Sequence, residues 1–116
     1  MSENNEHVID KFIANRYRHI LSADGGQLTI SNERLIFNAH ALNIDVGQSE
    51  IAIADIMSVN FFSTLGFIPN GLVITTKDGI KHKFVVYKRQ KIAEIIEDLK
   101  ETRVKFINRT VFDEDD

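Results

Sequence analysis

The residues best suited to bind a ligand form a basic stretch between positions 77 and 91. Six lysines and arginines stand in these fifteen residues against one acid, Asp78, although the net charge of the chain is -3. Such cations could hold a phosphate or an anionic lipid headgroup, and an arginine could contact either through two hydrogen bonds. A solvated strand face and helix start would have the same composition, so both interpretations stay open. The candidate anion or lipid contacts are Lys81, Lys83, Lys88, Arg89 and Lys91.

A second candidate site is the apolar segment 61–68, which reads Phe-Phe-Ser-Thr-Leu-Gly-Phe-Ile. Burying one phenylalanine ring stabilises a protein by about 1.5–3 kcal/mol, so these rings are not all expected in water. The segment is expected either to contact a protein partner, a second copy or a bilayer surface, or to fold back over its own domain. The candidate interface residues are Phe61, Phe62, Leu65, Phe67 and Ile68.

Catalytic and metal chemistry have no support in the residue pattern. The chain has no cysteine, which excludes disulfides, thiolate ligands and a cysteine nucleophile. Its four histidines are scattered and lack the spacing and acidic partners of a metal site. His82 is predicted to be a hydrogen-bonded core residue. The sequence therefore predicts no catalytic residue, no cofactor and no metal, and the negative net charge argues against a nucleic-acid partner.

Length and composition predict one globular domain. The chain has 116 residues, of which 43% are apolar and 27% charged, as in soluble proteins. No run of about 18 apolar residues is present, and the acidic N-terminus differs from a secretory signal. A cytoplasmic location is expected, with a peripheral membrane position as an open alternative. The expected organisation is a disordered segment 1–6, a domain 7–108 and an acidic tail 109–116.

Hydrophobic periodicity predicts two β-hairpins. In the first, residues 27–30 alternate with period two, residues 31–33 supply a turn, and apolar residues resume to Phe37. The preceding Gly25 and Gly26 permit a positive φ or close packing, and residues 23–26 read as a turn. The second hairpin, 72–87, is expected to reverse at Asp78–Gly79 through a type I′ turn.

The remaining segments are less regular. Pro69 is expected to keep its segment out of a central strand. Residues 8–13 fit a helix or a strand. A helical stripe then predicts an amphipathic helix running to about residue 108, although 104–106 could instead be a short strand. The stripe consists of Ile92, Ile95, Ile96 and Leu99.

The first hairpin also carries a resemblance to a known family. Residues 25–37, Gly-Gly-Gln-Leu-Thr-Ile-Ser-Asn-Glu-Arg-Leu-Ile-Phe, resemble the signature of GRAM domains. Residues 50–59, 68–72 and 84–89 are similar to further parts of the family pattern in the same order. The resemblance covers roughly residues 8–100, and small stand-alone bacterial relatives look like this chain. Ile92 stands where the family commonly has a tryptophan.

The resemblance implies a fold and a class of function. The implied fold is mainly β with one C-terminal helix: a pleckstrin-homology-like, seven-stranded, partly open barrel of two near-orthogonal antiparallel sheets, capped by an amphipathic helix. It places residues 8–13 in a first strand. The implied function is a non-catalytic module that binds protein partners or self-associates as a homo-oligomer, which we assign to segment 61–68. The alternative is a peripheral binder of anionic lipid headgroups through residues 81–91.

Overall fold

A computed structural model describes the backbone of residues 5–19, 22–40 and 48–114, and the side chains of residues 5–17, 23–40 and 49–103. The described chain contains seven β-strands, a short 3₁₀ turn at Ile53–Asp55 and one α-helix. The elements are β1 (Val8–His19), β2 (Ser22–Ser31), β3 (Arg34–Ala39), β4 (Gln48–Ala52), β5 (Ile56–Thr64), β6 (Ile68–Thr76), β7 (Lys81–Val86) and α1 (Arg89–Glu114).

The strands form one antiparallel sheet in the order β4-β3-β2-β1-β7-β6-β5. β1 connects the two halves of the sheet, because it pairs with β2 along most of its length and with β7 through residues 14–16. The sheet is not closed, so β4 and β5 are its two edges. This arrangement confirms the predicted mainly β, pleckstrin-homology-like fold with a C-terminal helix, including the strand at residues 8–13.

The core lies between the sheet and α1. Ile92 and Ile96 are fully buried, and Ile95 and Leu99 pack against the core, so the predicted helical stripe is confirmed. The helix ends at Glu114 instead of near residue 108, and the alternative strand at 104–106 is wrong because this backbone is helical. Within the described residues, no helix combines the length and apolar character that a bilayer crossing requires.

The hairpin predicted from residues 25–37 is β2–β3. Leu28 pairs with Phe37 and Ile30 with Leu35, and all four side chains are buried. The hydroxyl of Ser31 holds the turn, because its oxygen accepts hydrogen bonds from the backbone N–H groups of residues 33 and 34, each at 3.0 Å.

The turn expected at residues 23–26 is wrong, since this segment belongs to β2 and pairs with β1. Neither Gly25 nor Gly26 has a positive φ. Gly26 is needed for close packing instead. A Cβ there would lie 2.2 Å from the carbonyl oxygen of Asn38 on β3.

The turn after β6 also differs from the expected type I′ turn. Of Asp78 and Gly79, only Gly79 has a positive φ, at 88°. The Gly79 N–H donates to the Thr76 carbonyl at 2.8 Å, and the Thr76 N–H donates to the Ile80 carbonyl at 3.0 Å. The strands are therefore joined by a three-residue loop in which glycine takes the left-handed position.

Pro69 lies inside β6, a strand with neighbours on both sides, which contradicts the expectation. The conflict is local, because β6 pairs with β7 only from Gly71 onward. At Pro69 the strand has β5 alone beside it, next to an irregularity between Phe62 and Thr64. The missing N–H therefore costs no bond to β7.

The domain boundaries expected near residues 7 and 108 stay predictions. Residues 1–4 lie outside the described residues. Glu6 forms an ion pair with Arg34 at 2.8 Å, and Arg34 also pairs with Glu50 at 2.6 Å. Arg34 thus joins the N-terminal segment to β3 and β4.

Candidate functional site

The tip of the β5–β6 hairpin, residues 64–68, presents two apolar side chains to solvent. Leu65 is 81% exposed and Phe67 is 75% exposed. The turn itself has fixed geometry: the Phe67 N–H donates to the Thr64 carbonyl at 3.1 Å, and the Thr64 hydroxyl donates to the Asn70 side chain at 2.9 Å. Neither apolar side chain folds back over the domain, so the hairpin tip is an exposed apolar surface on a turn closed by one backbone and one side-chain hydrogen bond.

The other candidate interface residues have contacts within the chain. The Phe62 ring packs directly over Gly71, where a Cβ would lie 2.5 Å from the ring, and meets the Tyr17 ring at a centroid distance of 6.3 Å. Phe61 is 44% exposed. Ile68 is half-buried. The five residues therefore divide into an exposed tip and a partly buried base.

An open groove of about 940 Å³ begins at the hairpin tip and crosses the outer face of the sheet. We call it the outer groove. Apolar side chains form one part of its wall and two lysines another. The Lys83 ammonium lies 5.9 Å from the Phe62 ring centroid, at the limit of a cation–π contact. Its lining includes Tyr17, Phe62, Leu65, Lys81, Lys83 and Val85.

Sequence reasoning missed Tyr17 as a groove residue. The alternation along β1 contains the signal once this segment is treated as a strand: Phe12 and Ala14 are buried, so Ile13 and Tyr17 must face outward. The helix-or-strand ambiguity of residues 8–13 concealed that alternation.

The basic stretch does not form one surface. Lys81 and Lys83 line the outer groove, whereas Lys88 and Lys91 line a separate depression beside Asp10. Because β7 is extended at about 3.3 Å per residue, its two ends lie roughly 16 Å apart. The four candidate lysines are therefore distributed over two places, with two at each.

A carboxylate accompanies the second pair of lysines. The Lys91 ammonium lies 3.3 Å from the Asp10 carboxylate. The pKa of Asp10 is lowered, first by the hydrogen bond from the Lys11 backbone N–H and then by Lys91. Within the described residues, no such ion pair is formed by Lys81 or Lys83.

Arg89, the fifth candidate, contacts the protein itself. Its Nη1 donates to the Phe62 carbonyl at 3.0 Å and to the Gly71 carbonyl at 3.2 Å. These bonds connect the start of α1 to both β5 and β6. The guanidinium therefore has two backbone partners, and a contact between Arg89 and an anion stays a prediction.

His82 lies half-buried at the other end of β7, as a hydrogen-bonded residue. Arg16 Nη2 lies 3.2 Å from its Nδ1, and the Thr76 hydroxyl lies 3.4 Å from its Nε2. The pKa of His82 is lowered, first by burial and then by the Arg16 charge, with Asp78 opposing the shift. In the described part of the chain, no three histidines or carboxylates are grouped so as to hold a metal ion.

Comparison with solved structures places the fold in a known class. The structure is similar to the Vps36 N-terminal PH domain, with a TM-score of 0.69 and 17% identity over 90% of this chain and 86% of that one. It is similar to the C-terminal domain of an unknown protein from Leishmania infantum, with a TM-score of 0.70 and 14% identity over 84% and 86% of the two chains. The hSac2 domain of human phosphoinositide phosphatase Sac2 gives a TM-score of 0.65 and 14% identity over 86% and 73%. At these identities the likeness shows the fold, which is pleckstrin-homology-like.

The sequence identifies the family within that class. The GRAM domain family model matches residues 1–108, so the chain belongs to the GRAM domain family. GRAM and pleckstrin-homology-like domains are in general non-catalytic modules that bind proteins or lipids. No curated protein matches the sequence.

Proposed function

We propose that this GRAM domain is a non-catalytic interaction module that binds a protein partner, or a second copy of itself, through segment 61–68. The observation that carries the proposal is the exposure of Leu65 and Phe67 on a turn with fixed geometry. Each such side chain gains about 1.5–3 kcal/mol when a partner removes it from water. A few side chains buried at the centre of a protein interface carry most of its binding energy, and phenylalanine is among the residues enriched there.

The outer groove extends this surface. Tyr17 and Phe62 continue the apolar character from the tip into the groove, so a partner that covers Leu65 also meets an aromatic wall. Aromatic residues are enriched at the centres of protein interfaces. The lysines at the groove margin favour a partner with acidic residues at the rim of its contact surface.

Self-association is the form of this proposal that can be tested directly. We expect the mass measured by light scattering to rise with protein concentration. The double variant Leu65→Asp/Phe67→Asp is expected to weaken association at least tenfold, because charged groups would have to be desolvated at the contact. Ile80→Asp is the control, since Ile80 is also exposed but lies just before β7, beyond the end of β6 that is opposite the hairpin tip. A constant monomer mass, unchanged by the double variant, would contradict self-association.

A second candidate is a peripheral module that binds anionic lipid headgroups. The observation favouring it is that Lys81 and Lys83 share the outer groove with Leu65. Apolar contact and cations at one site are the combination that anionic membrane surfaces attract, with about 1 kcal/mol from each lysine.

The bacterial type of the domain and its cytoplasmic location stay predictions.

Co-sedimentation with vesicles tests the lipid candidate. Vesicles of phosphatidylcholine alone and with added phosphatidylserine are compared at low salt. Binding only to the anionic vesicles, reduced by Lys81→Glu/Lys83→Glu but much less by Lys88→Glu/Lys91→Glu, is the expected pattern. Equal absence of binding to both vesicles would exclude this candidate.

A further inference from the structure

The outer edge of β5 lacks two of the features that commonly protect an edge strand, which are charged residues and proline. Its nine residues, Ile56–Thr64, include no charged residue and no proline. Edge strands in natural proteins commonly carry lysine, proline or inward-pointing charges, which prevent pairing with another chain. The other edge, β4, carries Glu50 in an ion pair with Arg34. The two edges of this sheet therefore differ in charge, and the residues of β5 carry none.

Within the described part of the chain, the middle of β5 is regular and no strand pairs with its outer edge. Residues 58–62 pair without interruption with residues 71–75 of β6, and the irregularities lie on either side. Lys100 donates to the Met57 carbonyl at 3.3 Å, at the start of the strand. Asn60, at the centre of the regular part, is exposed. Alternate residues of this stretch therefore present their backbone N–H and C=O groups at an edge that has no paired strand.

We propose that two copies of the chain associate by antiparallel pairing of β5 with the β5 of the second copy, centred near Asn60. This contact is symmetric, so each strand supplies the same backbone pattern to the other. The self-pairing brings no like charges together, although each copy carries a net charge of -3. An uncharged strand can pair with its own copy without placing like charges opposite each other, which would destabilise the pair.

The antiparallel arrangement also brings exposed apolar residues towards each other. Met57 is 57% exposed and Leu65 is 81% exposed, and they lie on opposite sides of Asn60. Pairing centred on Asn60 places Met57 of one copy at the same end of the contact as Leu65 of the other. The inference rests on the proposed function, because segment 61–68 then forms one end of each contact.

A charged residue at the centre of the edge provides the first test. Asn60→Lys would place two lysines opposite each other in the paired strands, so the dissociation constant measured by sedimentation velocity is expected to rise at least tenfold. Asn38→Lys is the matched control, because Asn38 is also an exposed strand residue but lies on β3. Thermal unfolding of each variant reports whether its monomer is still folded.

Cysteine cross-linking provides a second test that does not depend on destabilising the contact. The chain has no cysteine, so Ser58→Cys, Asn60→Cys and Phe62→Cys each introduce a single thiol, which lies opposite the same thiol of the second copy only when the pairing is centred on that residue. Directly opposed residues of antiparallel strands have Cα atoms about 4.5–5.5 Å apart, within the range of a disulfide. Mild oxidation is expected to give a reducible dimer for at least one of these variants, with the Asn38→Cys control remaining monomeric.

The outcomes separate this inference from the proposed function. If the wild type associates and Leu65→Asp/Phe67→Asp weakens it, but Asn60→Lys has no effect and no cysteine cross-links, edge pairing is overturned and the hairpin-tip surface stands. If Asn60→Lys alone dissociates the dimer, edge pairing stands and the tip is not required. A wild type that stays monomeric at every concentration overturns edge pairing and self-association together.

Discussion

The guanidinium carbon of Arg89 lies 4.4 Å from the centroid of the Phe61 ring, so the first residue of α1 covers a side chain of the edge strand β5. The same guanidinium donates to the carbonyls of Phe62 and Gly71. One side chain therefore holds the helix, the edge strand and its neighbour together at the base of the hairpin.

Arg89→Ala is expected to lower the free energy of unfolding by roughly 2–4 kcal/mol. The change removes two charge-assisted hydrogen bonds and a cation–π contact, and it leaves two carbonyls without their donor. Lys88→Ala is the control, because Lys88 is adjacent and exposed. Urea denaturation measures both. Equal stability of the two variants would show that the Arg89 contacts contribute little to the free energy of unfolding.

The neighbouring glycines of β2 are expected to differ in their tolerance of alanine. At Gly26 a Cβ would lie 2.2 Å from a backbone oxygen of β3, whereas at Gly25 the nearest atom is the Asn15 side-chain oxygen at 3.1 Å. Backbone cannot move aside as a side chain can, so Gly26→Ala should cost about 2 kcal/mol or more and Gly25→Ala under about 1 kcal/mol. Thermal unfolding of both variants checks the difference. Similar costs would contradict the close approach of β2 and β3 at Gly26.

Ser31→Ala is expected to destabilise the β2–β3 hairpin. Ser31 is 1% exposed, and its hydroxyl oxygen accepts the backbone N–H groups of Glu33 and Arg34. Removing that acceptor should cost about 1–2 kcal/mol, because two turn donors lose their partner. Ser63→Ala, at an exposed position, serves as the reference in the same denaturation experiment. A Ser31→Ala protein as stable as this reference would mean that water replaces the hydroxyl without loss.

Stability is expected to fall as the pH is lowered from about 7 to 5, because of His82. Its folded-state pKa lies below the ordinary value of 6.5, first through burial and then through the Arg16 charge. Between the folded-state pKa and about pH 6.5, the unfolded chain therefore binds a proton at His82 and the folded chain does not. The contribution of His82 to the free energy of unfolding is complete above about pH 6.5 and is lost as the pH falls through the folded-state pKa. The pKa of Asp78 is lowered from its ordinary 3.8, so its contribution to stability is lost at a pH below this window.

Denaturation at several pH values tests the His82 effect. His82→Gln should reduce the dependence between pH 7 and 5, whereas the exposed His40 can be changed to glutamine as a control with the dependence retained. An unchanged pH profile in His82→Gln would assign the effect to other groups.

Local patterns predicted most of the fold. The period-two alternation of residues 27–30 and the helical stripe from Ile92 to Leu99 depend on neighbours in sequence, so they could be interpreted without coordinates. The turn prediction for residues 23–26 was wrong, because glycine and aspartate are common in turns but here belong to a strand. Gly26 is used for the close approach of β2 to β3. Pro69 was misjudged because the sequence does not reveal how far β7 extends alongside β6.

The candidate site depended on distances that sequence spacing does not contain. The basic residues are neighbours in sequence, but the extended β7 separates them into two pairs and directs Arg89 to carbonyls of β5 and β6. The apolar character of segment 61–68 was visible in the sequence. Its division into exposed Leu65 and Phe67 and a packed Phe62 required the hairpin geometry.

The fluorescence of Tyr17 can report whether the outer groove is occupied. The chain has two tyrosines and no tryptophan. Tyr17 lies in the outer groove against Phe62, while Tyr87 is 93% exposed. Changing Tyr87 to phenylalanine would leave a single emitting ring beside the groove. Its fluorescence would then follow occupation of that groove, by a protein or by a vesicle, without any attached dye.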